Sequence, residues 1–283
     1  MISHEWSFDQ VGYWSEVKLD IIKDYATTYS KILHAQKNPV LEHIYIDAFA
    51  GSGVHFSKTS GKFIAGSPTN ALWINPPFKQ YHFIDLDRKK VKTLEAIKKQ
   101  NPNVYIHQGD CNQILMDKIL PRAKREDYKR ALCILDPYGL HLDWRVIAEA
   151  GRMNSVEIFL NFPIADINRN VLWRNYHEVE PTQIQRMNAY WGDESWRKIA
   201  YTVSAQGKLF GPPEKEKNSN AVLAEAFRKR LNKTAKFQYV PAPIAMYNSK
   251  NTVVYYLYFA SQKPVAEKIV QNIFDKYRNK GMR

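Results

Sequence analysis

Helical and strand-like hydrophobic patterns alternate along the first half of the chain. Apolar residues recur at helical spacing from Tyr13 to about Ala35, and Asn38-Pro39 stops this helix. Short apolar runs follow at residues 44–49, 81–87, 104–106, 131–135 and 156–160, with helical stretches between most of them. This alternation predicts an α/β fold in which a parallel sheet carries helices on both faces.

The last third of the chain departs from this alternation. Residues 164–236 are helical in pattern and rich in tryptophan, whereas residues 237–247 and 252–260 are strand-like and joined by the turn sequence N-S-K-N. Five parallel strands plus a C-terminal β-hairpin is the strand inventory of the Rossmann-like class I methyltransferase sheet. We therefore predict an N-terminal helical segment at 1–40, an α/β core at 41–163 and 237–283, and a helical insertion for substrate recognition at 164–236.

Composition adds a candidate partner. The sequence has 41 Lys and Arg against 28 Asp and Glu, a net charge of +13, together with 17 Tyr, 13 Phe and 7 Trp. A basic, aromatic-rich surface is typical of nucleic-acid-binding proteins, and we predict RNA or single-stranded DNA as the partner. The alternative is a soluble protein that is basic but does not bind nucleic acid, and composition does not decide between the two.

The sequence gives no sign of metal, disulfide or membrane chemistry. Cys111 and Cys133 are the only cysteines, so neither a disulfide framework nor a cysteine zinc site is expected. The histidines lack metal-ligand spacing, and no metal is predicted. No apolar run approaches the roughly 20 residues of a membrane span, and the N-terminus lacks the pattern of a secretory signal. We predict a soluble, cytoplasmic protein without a membrane partner.

Candidate chemistry concentrates just past the strand ends. In an open α/β sheet, ligands bind beyond the carboxyl ends of the strands, where the strand order reverses. An aspartate stands at this point on four successive strands, namely Asp47, Asp85, Asp110 and Asp136. A single aspartate there is usually a helix cap, but four at one edge favour a ligand site.

The first three of these aspartates suggest an adenosine cofactor with an amino acid tail. Gly51 and Gly53 allow backbone amides to approach the ligand, and Asp85 is placed to accept the ribose hydroxyls. Asp110 suits the adenine amine and Asp47 suits the methionyl ammonium. We predict S-adenosyl-L-methionine, bound by Asp47, Phe49, Ala50, Gly51, Gly53, Asp85, Leu86, Asp110 and Cys111, with Leu86 and Cys111 offering apolar faces to the adenine.

Two other nucleotide motifs fit poorly. The nicotinamide fingerprint needs a third glycine and an acid about 20 residues on, whereas Asp85 lies 34 residues past Gly51. A phosphate-binding Walker loop needs G-x-x-x-x-G-K followed by Ser or Thr, and Gly61-Lys62-Phe63 does not match it.

The fourth strand ends in Asp136-Pro137-Tyr138-Gly139. Amino-directed nucleic-acid methyltransferases place a similar tetrapeptide at this position. Asp136 and the Pro137 peptide would accept hydrogen bonds from an exocyclic amine, and Tyr138 would stack on the base. We predict these three as the catalytic residues; a proline-led turn without catalytic function is the alternative. Lys18 and Trp14 could cover the methionyl end of the cofactor, but a solvated lysine and a core-facing tryptophan are favoured. Asn161-Phe162-Pro163 could line the same pocket, but a turn that redirects the chain is favoured.

Eight short motifs resemble the three-Cys-motif partner protein family in order along the chain. They are W-x-x-x-K-L from Trp14, Y-I-D-A-F-A-G-S-G from Tyr45, G-S-P-x-x-A-L from Gly66, F-I-D-L-D from Phe83, G-D-C-N from Gly109, L-D-P-Y-G from Leu135, L-N-F-P from Leu160 and Y-x-L-Y-F-A-S from Tyr255. The resemblance implies a class I methyltransferase-like sheet and association with a radical-enzyme-like protein that bears a three-cysteine motif. It implies no particular substrate.

The leading hypothesis is therefore methyl transfer from S-adenosyl-L-methionine to an exocyclic amine of a nucleobase. A non-catalytic partner that binds the cofactor or a nucleic acid is the first alternative. A methyltransferase acting on a protein or a small molecule is the second.

Overall fold

The computed structural model describes residues 9–173, 175, 178–203 and 215–280. The strands are β1 (Asp9–Val11), β2 (Glu42–Asp47), β3 (Val54–Ser57), β4 (Phe63–Ala65), β5 (Gln80–Asp85), β6 (Val104–Gln108), β7 (Lys129–Leu135), β8 (Val156–Phe162), β9 (Tyr201–Val203), β10 (Lys215–Lys217), β11 (Ile244–Tyr247) and β12 (Val253–Ala260). The helices are α1 (Tyr13–Ala35), α2 (Ser67–Leu72), α3 (Arg88–Lys98), α4 (Cys111–Ile114), α5 (Trp144–Met153), α6 (Ile164–Asn170), α7 (Pro181–Trp191), α8 (Trp196–Ala200), α9 (Asn220–Lys233) and α10 (Pro264–Lys280).

A central sheet has the strand order β11-β12-β8-β7-β2-β5-β6. Neighbouring strands from β6 to β8 pair in parallel, whereas β12 pairs antiparallel with both β8 and β11. The predicted fold class, a mixed α/β protein with a Rossmann-like sheet, is confirmed at this level.

Side chains of the central strands alternate between two hydrophobic cores, as the pleat of a strand requires. In β7, Ala131, Cys133 and Leu135 face one core, and Leu132 and Ile134 face the other. Helices α5 to α9 complete the first core, and α1, α3 and α10 complete the second. Because β7 is buried on both faces, its sequence is a continuous apolar run.

The N-terminal helix α1 is part of the second core. The ring of Tyr25 lies 5.4 Å from that of Phe159 on β8 and 4.7 Å from that of Phe259 on β12, measured between centroids. Its bounds, Tyr13–Ala35, are those that the sequence predicts. The helix therefore packs against β8 and β12, and its Lys18 lies at the end of β7.

The polar, glycine-punctuated sequence of residues 54–66 predicts a loop, and this prediction is wrong. They contain β3 and β4, which pair antiparallel, and β1 pairs with β3 in parallel to complete a small three-stranded sheet. Asp9 is opposite His55 in this pairing. A pairing between segments so far apart in the sequence leaves no local pattern, which explains the missed strands.

Two further differences concern the last third of the chain. The strand expected at 237–247 is reduced to β11, because Pro241 and Pro243 lack the N–H groups that a ladder needs. The insertion expected to be helical contains α6 to α9 but also the strand pair β9–β10. Trp191 and Trp196 are buried in the first core, whereas Trp173 is 40% exposed.

Parts of the predicted segments lie outside the described residues. They are 1–8 of the N-terminal segment, 174, 176, 177 and 204–214 of the insertion, and 281–283 at the end. None of the helices in the described part combines the length and the apolar character of a membrane span. The same part holds no group of three or more His, Cys, Asp or Glu arranged to bind a metal ion.

Candidate functional site

The strand order of the central sheet reverses between β2 and β7. From β2 the chain moves outward to β5 and β6, and it then returns to place β7 on the other side of β2. Ligands in open α/β sheets bind at such a reversal, beyond the carboxyl ends of the strands. Asp47 ends β2 and Asp136 follows β7, so these two predicted site residues lie at the reversal.

The glycine turn after β2 has a backbone that only glycine adopts without strain. Gly51 and Gly53 have φ angles of 65° and 80°. The turn packs closely against Gly66, where an added Cβ would lie 3.0 Å from the carbonyl carbon of Gly53 and 3.0 Å from Nε2 of His55. Close backbone packing of this kind leaves amide groups, rather than side chains, along the turn.

Asp47 is the most unusual residue of this turn. It is 1% exposed, and its Oδ1 accepts a long hydrogen bond of 3.3 Å from the Phe49 N–H. Within the described residues, its Oδ2 is buried without a hydrogen-bond partner. Burial raises the pKa of Asp47 to about 7, although hydrogen bonds from Ser67 and Phe49 act in the opposite direction. A buried carboxylate of this kind favours a cationic partner.

The predicted adenosine-binding residues surround the neighbouring strand ends. Asp85 accepts the Gly51 N–H on Oδ2, at 2.9 Å, and the Asp87 N–H on Oδ1, at 2.8 Å. Since a carboxylate has about four acceptor positions, two remain for other donors. Leu86, the next residue, is 75% exposed. Asp85 thus ties the glycine turn to β5, and the ribose contact predicted for it stays a prediction.

Asp110 lies at the end of β6 and also caps α4. Its Oδ1 accepts the N–H groups of Asn112, at 2.7 Å, and Gln113, at 3.3 Å. It borders an open cleft of about 520 Å³ that Asp143 also lines. Cys111 is 6% exposed in the first core, and burial raises the pKa of its thiol to about 12. The cysteine is therefore a neutral, apolar group next to Asp110.

Asp136 forms an ion pair with Lys18 of α1. Lys18 is 9% exposed, so the expectation of a solvated lysine is wrong. Burial alone would lower the pKa of Lys18, but the charge of Asp136 outweighs it and raises that pKa. The Lys18 ammonium also lies 5.1 Å from the ring centroid of Tyr255. The pair fixes the Asp136 carboxylate at the sheet reversal.

Tyr138 stands above this pair and is tied to the N-terminal strand. Its hydroxyl donates to Oδ2 of Asp9 at 3.0 Å, and Nζ of Lys90 on α3 donates to the same oxygen at 2.7 Å. Lys90 also lies 5.0 Å from the centroid of the Tyr138 ring. Tyr138 nevertheless stays 59% exposed, whereas Pro137 is buried. The contacts of Asp9 with Tyr138 and Lys90 define a latch, Asp9–Lys90–Tyr138.

The latch passes over the glycine turn. Asp9 Oδ2 would lie 3.8 Å from a Cβ placed on Gly51, and the ring of His55 is just as near to that position, at 3.7 Å. Burial lowers the pKa of His55, so this ring is neutral at physiological pH. The small sheet that contains β1 and β3 therefore forms one wall of the site.

Sequence reasoning did not identify Asp9 or Lys90, and it favoured a solvated Lys18. Lys18 had a signal, because it occupies a position in the buried stripe of α1 between Val17 and Ile21 where an apolar residue is usual. Asp9 and Lys90 had none, since they meet only through the folding of distant segments. The predicted residues Phe49 and Ala50 lie in the turn as expected, half-buried and buried respectively.

No protein-family model and no curated relative matches the sequence. Among solved structures, protein LPL1258 from Legionella pneumophila is 11% identical, with a TM-score of 0.47 over 89% of each chain. TYW2 of M. jannaschii in complex with AdoMet is 12% identical, with a TM-score of 0.37 over 87% of this chain and 76% of that one. The N-terminal domain of EvdMO1 with SAH bound is 11% identical, with a TM-score of 0.41 over 86% and 81%. These likenesses are too distant to assign a function.

Proposed function

We propose that this protein is a class I methyltransferase that uses S-adenosyl-L-methionine to methylate an exocyclic amine of a nucleobase in RNA or single-stranded DNA. The sheet supports the class: five parallel strands with a C-terminal antiparallel hairpin, reversing order between β2 and β7. Two of the structures named above hold AdoMet or SAH, and we propose the same cofactor for this chain.

The buried carboxylate of Asp47 is the observation that carries the cofactor proposal. Its Oδ2 lacks a hydrogen-bond partner in the described part of the chain and lies beside the glycine turn at the sheet reversal. The methionyl ammonium would supply the missing charge and hydrogen bond. Asp85 would hold the ribose, and Asp110 with the exposed Leu86 would hold the adenine.

Asp136, Pro137 and Tyr138 would hold the acceptor. The bound cofactor supplies a methyl group on a cationic sulfur. Asp136 and the Pro137 carbonyl accept the amine hydrogens, so that the nitrogen lone pair faces that methyl group. Methylation would leave the acceptor nitrogen cationic, and Asp136 would take the proton that this nitrogen releases. Tyr138, exposed at this edge, stacks on the base.

Lys18 acts through Asp136. Its ammonium holds the carboxylate of Asp136 in place, so that the remaining acceptor positions would face the amine. Lys18 is therefore a positioning residue. The carboxylate retains acceptor positions beyond the one that the lysine occupies.

Calorimetric titration with S-adenosyl-L-methionine tests the cofactor. The wild-type protein should bind it, and Asp85→Ala should bind it more weakly because the ribose loses its acceptor. Glu149→Gln, which alters an exposed ion pair with Arg152 on α5, serves as the control with unchanged affinity. A wild-type protein that binds no cofactor contradicts the proposal.

Nucleoside mass spectrometry tests the acceptor. Cells with the gene should contain a methylated nucleoside that cells without it lack. Asp136→Asn should keep the affinity for the cofactor and lose methyl transfer. Transfer that survives in this variant contradicts the amine-directed mechanism. If transfer requires an added three-cysteine-motif protein, the partner implied by the sequence resemblance is supported as well.

A further inference from the structure

The insertion places two charged side chains against the turn Asp136–Gly139. Gly139 has a φ of 62°, and an added Cβ there would lie 2.8 Å from Oδ2 of Asp166 on α6 and 3.4 Å from Nη2 of Arg186 on α7. Arg186 Nη2 also contacts Nε2 of His141 at 3.1 Å. Two helices of the insertion therefore reach the residues that would hold the methyl acceptor.

Three polar atoms around this turn are buried and have no hydrogen-bond partner among the described residues. They are Oδ2 of Asp166, Nε of Arg186 and Oδ1 of Asn161. Unsatisfied buried polar atoms are costly, and in native proteins they usually mark a place where a water or a ligand completes the hydrogen bonds. Here two of the atoms are acceptors and one is a donor.

Asn161 lies at the neighbouring strand end. It follows Leu160 on β8, which is opposite Leu135 on β7, so Asn161 stands beside Asp136 at the sheet edge. Its backbone carbonyl accepts the hydroxyl of Tyr190 at 2.8 Å. Tyr190 is one turn from Arg186 on the same face of α7. One helix thus spans the cluster from Asn161 to the turn that contains Gly139.

We propose that Asn161, Asp166 and Arg186 recognise the base and that this base is guanine. The proposal rests on the proposed function, because it assumes a nucleobase amine as the methyl acceptor. It gives the helices α6 and α7 a direct part in substrate selection. It also gives Asn161 a role beyond that of redirecting the chain.

Counting donors and acceptors selects guanine among the bases that carry an exocyclic amine. Guanine presents its N2 amine and N1–H as donors beside O6 as an acceptor. Adenine has only its N6 amine as a donor, and cytosine has one amine beside two acceptors. With Asp136 and Pro137 engaged by the N2 amine, Asp166 or Asn161 accepts N1–H, and Arg186 donates to O6. Adenine and cytosine have no ring N–H, so neither acceptor of the cluster would receive a donor from the base, whereas guanine satisfies one of the two.

Base identity is measured with tritiated S-adenosyl-L-methionine. The purified full chain is incubated with total RNA, and separately with denatured DNA, from cells that lack the gene, and the digested nucleosides are separated. Label in a methylguanosine or methyldeoxyguanosine carrying the methyl group on N2 supports the proposal. Label in adenosine or cytidine overturns the choice of guanine and leaves the proposed function standing. No label in any nucleoside overturns both.

Two variants test the residues themselves. Asp166→Asn and Arg186→Gln should each raise KM for the guanine-containing substrate by about tenfold or more, since a good polar contact to a base edge contributes about 1–3 kcal/mol. Both should bind S-adenosyl-L-methionine with wild-type affinity, which shows that the fold is intact. Glu149→Gln again provides a distant control. An unchanged KM in both variants with intact cofactor binding overturns their role in recognition.

Discussion

At the scale of single residues, the proposed contact of Asp47 with the methionyl ammonium predicts that cofactor binding depends on pH. Its pKa of about 7 lies above the ordinary value of 3.8, so its contribution to the stability of the unliganded protein is largest at low pH and is lost as pH rises through about 7. The affinity for the cofactor should instead increase as pH rises, because the methionyl ammonium would prefer the ionised carboxylate.

We therefore predict that affinity for S-adenosyl-L-methionine rises about tenfold from pH 6 to pH 8, as the ionised fraction of a group with a pKa of about 7 increases tenfold. Calorimetry across this range measures the change. Asp47→Asn should bind more weakly and lose this part of the pH dependence. The same slope in wild type and variant would show that another group titrates.

Two features make a side chain at Gly139 unfavourable, namely its positive φ and the close approach of Asp166. Gly139→Ala places a side chain at positive φ and against Asp166. Gly61→Ala meets only the positive φ, since in the described part of the chain no atom beyond its two neighbours lies within 4 Å of its Cβ position. We expect losses in the free energy of unfolding of about 1 kcal/mol at Gly61 and about 2–4 kcal/mol at Gly139. Urea denaturation measures both, and equal losses would contradict the close contact with Asp166.

The residue scale also shows what the sequence can predict about the site. The turn from Asp47 to Gly53, Asp85 and the D-P-Y-G sequence are local motifs, and the structure brings them to one edge because parallel strands end there together. The ion pair of Lys18 with Asp136 joins residues 118 positions apart. No local pattern specifies such a contact, although a lysine in a buried helical stripe indicates that some partner exists.

At the scale of elements, β1 acts as a cover over the glycine turn. Its Asp9 is held by Lys90 of α3 and by Tyr138, so the latch joins three elements that are distant in the sequence. A cofactor bound along the glycine turn lies beneath this strand. We therefore expect release of the cofactor to require movement of β1 or Tyr138.

Asp9→Asn should speed cofactor release by about two- to fivefold, because partly exposed ion pairs contribute up to about 1 kcal/mol. Stopped-flow displacement of the bound cofactor measures the rate. Glu95→Gln, which alters an exposed ion pair with Lys98 on α3, is the matched control and should release at the wild-type rate. Identical rates in all three proteins would show that the latch does not limit release.

The helices and strands could not all be predicted equally well from the sequence. The central strands and α1 carry their own hydrophobic patterns, and each appears close to its predicted position. The sheet of β1, β3 and β4 was missed because its strands are only three or four residues long and pair across distant parts of the chain. The shortened β11 shows the reverse case, in which apolar residues suggest a strand that prolines interrupt.

At the scale of the whole molecule, the net charge of +13 makes a prediction about salt. If the protein contacts about six phosphates of a single strand, its affinity should fall by roughly two orders of magnitude or more between 50 and 200 mM salt. Fluorescence anisotropy with a labelled RNA oligonucleotide measures this slope. A binding constant that does not change with salt would favour an acceptor other than nucleic acid.

The position of β12 in the central sheet has a consequence for synthesis of the chain. β12 lies between β8 and β11, yet 90 residues separate Phe162 at the end of β8 from Val253 at the start of β12. At a translation rate of about 5–20 residues per second, the apolar edge of β8 waits roughly 5–20 seconds for its neighbour. During this interval it is an open strand edge, a ready template for pairing with other nascent chains. The protein should therefore depend on chaperones, or on the early folding of α6 to α9 over this sheet, while it is still on the ribosome.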